Sequence, residues 1–68
     1  MTGLVAGTVV EFDAERGLGR IDADDGRSFP FHCTQISDGT RSIAVGALVW
    51  FDLLAKLGRY EATSISPR

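Results

Sequence analysis

The chain contains one cysteine, Cys33, one histidine, His32, and one lysine, Lys56, among 68 residues. A lone cysteine excludes an internal disulfide, and nothing at the N-terminus reads as a signal peptide, so a reducing cytoplasm is the expected compartment. No apolar stretch approaches the roughly 18 residues of a membrane span, the longest, Ala47 to Ala55, being broken by Asp52. A second His/Cys pair is missing, and His32 and Cys33, as neighbours on a strand, face opposite ways, so no metal site is expected. Excess positive charge is absent too. The formal net charge is −2 and the pI about 5.1, which gives no general attraction to phosphate.

The signatures of catalysis are equally thin. Gly17-x-Gly19 lacks the third glycine and following helix of a dinucleotide loop, so these glycines serve a tight turn and close strand approach. Asp24 and Asp25 sit in a turn with no base nearby in sequence. Ser28 and His32 are four strand positions apart, roughly 13 Å, too far for a nucleophile and its base. We therefore expect no enzyme, no cofactor and no small-molecule substrate.

What is present is a small soluble domain. At 44% hydrophobic and 24% charged residues the composition is globular, and 68 residues make one domain, 1–68, with a thin core. Val5, Gly7 and Val9 alternate with Ala6, Thr8 and Val10, the period of a half-buried strand, predicted from Leu4 to Phe12. After the turn residues Asp13 to Gly17, a second strand is expected from Leu18 to Asp22, and the Asp-Gly pair at Asp25-Gly26 turns into a third from Ser28 to Cys33. Residues 34 to 46 read as a long loop holding at most one helical turn. Ala47 to Leu54 and Tyr60 to Ile65 complete five strands, which together predict an all-β fold, an antiparallel barrel closed or nearly closed.

Two short segments carry a resemblance. Arg16-Gly17-Leu18-Gly19-Arg20-Ile21 and Phe29-Pro30-Phe31-His32-Cys33 resemble the two ribonucleoprotein motifs of the cold shock domain, written K-G-F-G-F-I and V-F-V-H-F. Gly7-Thr8-Val9, Phe12, Ala14, Asp24-Asp25-Gly26, Ile36, Asp38-Gly39, Ser42, Gly46, Val49, Phe51 and Ala62 continue the register, with a gap only near Arg27. The resemblance implies a small five-stranded antiparallel OB-fold barrel that binds single-stranded RNA or DNA by stacking bases on an aromatic platform. The platform positions correspond to Glu11, Phe12, Leu18, Arg20, Pro30, His32, Cys33 and Thr40, and only Phe12 and His32 keep the family's residue type. Stacking contributes about 1–3 kcal/mol per base, so losing four contacts at about 1 kcal/mol each weakens binding roughly a thousandfold. Glu11 adds a negative charge where bases or phosphates pass.

These residues support two readings. In the first, Phe12, Arg16, Leu18, Arg20, His32 and Arg41 bind single-stranded nucleic acid weakly or in an altered way, arginine stacking as well as pairing with phosphate. The plainer alternative makes the arginines solvated charge and the Phe12 and His32 rings partly buried caps on the barrel. In the second reading, outward Val10, Leu48 and Trp50, joined by Leu18, form an apolar patch for a protein partner or a homodimer. On the third strand, alternation turns Phe29 and Phe31 inward and Pro30 outward, and Pro30 is tolerated where the strand lacks a neighbour or bulges.

Overall fold

The computed structural model describes residues 4–37, 39 and 42–68. The elements are β1 (Val5–Asp13), β2 (Leu18–Ala23), β3 (Ser28–His32), a 3₁₀ turn (Cys33–Gln35), β4 (Leu48–Lys56) and β5 (Arg59–Pro67). All five strands lie in one antiparallel sheet in the order β3-β2-β1-β4-β5. This is the nearly closed five-stranded barrel that the alternating pattern predicts, in the OB-type arrangement that the resemblance implies. Its two edge strands do not meet in a ladder. Closure comes from a parallel bridge between Ile36 and Ile65, a 2.8 Å hydrogen bond from the Ser37 N–H to the Ile65 carbonyl, and a contact between the Thr63 hydroxyl and the Gln35 side chain.

The third strand ends one residue earlier than expected, with a physical cause. His32 Nδ1 accepts the Thr34 N–H at 3.2 Å, capping the 3₁₀ turn and bending the chain away from β2. Cys33 then drops into the core. Its N–H donates to the Gly17 carbonyl at 2.7 Å, and its Sγ occupies the space that a side chain on Gly17 would need, 2.8 Å from the ideal Cβ position. Gly17 also holds a φ of 67°, so the turn requires glycine twice over.

β4 and β5 each end two residues later than the alternation suggested, and β5 also starts one residue earlier, because their hairpin pairs from Lys56↔Arg59 to Val49↔Pro67. Pairing extends strand structure into residues with little strand pattern of their own. A register shift between Trp50 and Asp52 puts an extra residue on β5, where Ser64 adopts a φ of 53°. A second shift, between Val9 and Glu11, bulges β1. At the β2–β3 turn, Gly26 takes a φ of 96°, and Asp25 accepts the Arg27 N–H at 3.1 Å and its Nε at 2.7 Å. The backbone N–H of Arg27, followed by its side chain, holds the Asp25 carboxyl below the ordinary aspartate value.

The core is built around Val9, Ile21, Phe31, Val49, Phe51 and Ile65, all fully buried. Phe29 and Phe31 point inward as the alternation predicts, and Phe29 packs against Phe51 with ring centroids 5.8 Å apart. Each such side chain contributes about 1.5–3 kcal/mol on burial, a large share for a domain this small. β3 has a ladder neighbour on one side only, the setting in which Pro30 is tolerated.

Candidate nucleic-acid interface

Strand register determines which side chains share the outer face. Across β1, β2 and β3 one row runs Glu11, Arg20, Pro30 and the next runs Asp13, Leu18, His32, since these are Cα partners in the two ladders. The intervening row, Phe12, Gly19 and Phe31, faces the other way. Sequence reasoning expected Phe12 beside Leu18, Arg20 and His32. The structure sets Phe12 off these two rows: it is half-buried, its ring stacked on Phe31 at 6.0 Å with the planes 9° apart, with part of its surface still lining a groove beside Leu18. Gly19 makes that stack fit, because a Cβ there would sit 2.5 Å from the Phe31 ring and 2.6 Å from the Glu11 carbonyl.

The bulge explains this placement. Strict alternation from inward Val9 would set Glu11 inward and Phe12 outward, but the extra residue reverses the phase, so Glu11 opposes Arg20 and Phe12 opposes Gly19. Cys33, expected among the platform positions, is buried beneath Gly17 for the reason given above. Arg41 and Thr40 lie outside the described residues.

Two grooves meet on this face. The first, about 350 Å³, is lined by Glu11, Phe12, Asp13, Arg16, Leu18 and Gly19. The second, about 550 Å³, is lined by Leu18, Gly19, Pro30, Phe31, His32, Thr34, Gln35, Lys56, Arg59 and Glu61. Leu18 and Gly19 border both, so a strand-like ligand has a continuous path past exposed Leu18. The candidates read from the sequence include neither Arg59 nor Lys56. Both reach the face because barrel closure brings the β4–β5 turn beside β3, a long-range event with no local signature.

The arginines on the face are paired internally. Arg20 Nη2 lies 3.5 Å from Glu11 Oε2, Arg16 Nε 3.8 Å from Asp13 Oδ2, and Arg59 Nη2 3.5 Å from Glu61 Oε2. Asp13 also accepts the N–H groups of Glu15 and Arg16 through Oδ1, which shapes the β1–β2 turn and places Arg16 at the groove. His32 Nδ1 accepts the Thr34 N–H and lies 3.0 Å from the Thr34 hydroxyl, which ties that side of the ring to the 3₁₀ turn. Among the described residues no group of three or more His, Cys, Asp or Glu is placed to hold a metal ion.

The family model of the 'Cold-shock' DNA-binding domain matches residues 5–68. The chain belongs to this family. A comparison with curated proteins finds no match. The cold-shock domain is a nucleic-acid-binding domain rather than a family of enzymes, in keeping with the face just described. In this cold-shock domain the outer rows carry Glu11, Arg20 and Pro30, then Asp13, Leu18 and His32.

The outward apolar residues fall elsewhere. Leu48 and Trp50 oppose Thr8 and Ala6 of β1, both are exposed, and the Arg68 guanidinium lies 5.7 Å over the Trp50 ring. Val10 is half-buried in the bulge. Leu18 does not join them, since it pairs with Asp13 at the opposite end of β1. Among the described residues no helix is long and apolar enough to cross a membrane.

Proposed function

We propose that this cold-shock domain binds single-stranded nucleic acid weakly, through the face formed by Leu18, Arg20 and His32. Arg16 flanks it on one side, and Lys56 and Arg59 on the other. The observation that carries this reading is the continuity of the two grooves at Leu18 and Gly19, lined at both ends by cationic side chains. Phe12 supports the site from beneath Gly19 as a packed ring and offers only part of its surface to a ligand. With few flat aromatic surfaces left, affinity rests on guanidinium stacking, on Leu18 and on the imidazole of His32.

Fluorescence anisotropy with labelled single-stranded DNA and RNA at low salt tests the proposal. Micromolar binding is expected, and Arg20→Ala and His32→Ala should each weaken it about fivefold, the effect of losing roughly 1 kcal/mol. Absence of binding at high micromolar protein would overturn the reading.

A further inference from the structure

We infer that the Glu11–Arg20 pair reads guanine, presenting a hydrogen-bonding pattern that no other base complements. The inference rests on nucleic-acid binding at this face and names the base that the face selects. Glu11 and Arg20 are cross-strand partners on the outer row, with Nη2 and Oε2 3.5 Å apart and both side chains substantially exposed. An ionised carboxylate only accepts hydrogen bonds and a guanidinium only donates them. Oε1 has no partner among the described residues, so the pair offers acceptor, acceptor and donor side by side.

The Watson–Crick edges of the bases decide the match. Guanine presents two adjacent donors, the N2 amino group and N1–H, followed by the O6 acceptor, which is the complement of Oε1, Oε2 and Nη2. Cytosine and adenine each offer one donor beside an acceptor, and thymine and uracil flank their single donor with two acceptors. Against any of these, one carboxylate oxygen meets a lone pair. The adjoining groove of about 350 Å³ gives a base room, with Leu18 available to its apolar face. A phosphate is disfavoured at the same point because Glu11 already occupies the guanidinium and repels a second anion.

The test uses the whole chain and 5′-labelled deoxyhexamers followed by anisotropy: all-thymine, thymine with a central guanine, and the same strand with inosine, which lacks the N2 amino group. The guanine strand is expected to bind about tenfold tighter than the thymine strand, with inosine losing most of that gain. In Glu11→Gln, whose amide puts a donor where an acceptor stood, the preference should vanish, with circular dichroism reporting the fold. Unlabelled guanosine monophosphate should compete poorly. Equal binding of the three strands, a preference that survives Glu11→Gln, or a free nucleotide competing as well as the strand would each overturn the inference. If no strand binds at all, the proposed function itself fails.

Discussion

Gly19 shows how one absent side chain organises both surfaces of the sheet. On the inner side the bare backbone lets Phe12 stack on Phe31, and on the outer side the same strand carries Leu18 to the groove and sets Arg20 opposite Glu11 beside it. A methyl group there would meet the Glu11 carbonyl and the Phe31 ring within 2.6 Å, closer than real Cβ contacts allow. Gly19→Ala should therefore destabilise the domain by about 2–3 kcal/mol, the upper range for overpacking. Urea unfolding measures this, and a midpoint shift worth under about 0.5 kcal/mol would show that the ring and strand yield easily. The glycine was visible in the sequence as half of a spaced pair. Its neighbour Phe12 misled, because a bulge shifts every later side chain to the opposite face and leaves no mark in composition.

The β4–β5 hairpin carries the other irregularity, and with it a stability effect of the opposite sign. Ser64 sits at a φ of 53°, a conformation that costs an L-residue about 1–2 kcal/mol, whereas glycine adopts it freely but loses about 0.5–1 kcal/mol more backbone entropy on folding. The difference favours glycine by about 0.5 kcal/mol. Ser64→Gly should raise the thermal midpoint by a few degrees, measurable by calorimetry, and a lowered midpoint would mean that the serine hydroxyl does more than fill space. Strand existence and order of appearance were legible from period-two alternation and turn residues. Strand ends were not, because β4 and β5 extend each other by pairing, and β3 is cut short by the His32 cap.

For the molecule as a whole, charge pairing predicts how binding responds to salt. All five described arginines lie within 4.0 Å of a carboxylate, since Arg27 pairs with Asp25 and Arg68 with Asp24 in addition to the three pairs on the face. Lys56 is the exception among the described cations. Exposed pairs of this kind add little stability, about 0–1 kcal/mol each, yet each must be opened before its arginine can take a phosphate. Counterion release should therefore correspond to one or two phosphates. On that basis affinity falls only about three- to sevenfold between roughly 50 and 200 mM salt. Anisotropy titrations across that range measure the slope, Lys56→Ala should flatten it further, and a loss of a hundredfold or more would contradict the pairing argument. The family resemblance was readable from glycines, core positions and His32. The pairing was not, because Glu11 and Arg20 come together only through register, just as Lys56 reaches the face of His32 only through closure.

Closure also orders events in time. β1, β2 and β3 pair across short turns, as do β4 and β5, so each group can zip locally, whereas the Ile36–Ile65 bridge must join distant parts of the chain against loop-closure entropy. Sealing the barrel is then the late step of folding. The second groove, which needs β3 and the β4–β5 turn side by side, is completed only when that seam shuts, so the proposed binding surface is among the last parts of the molecule to form.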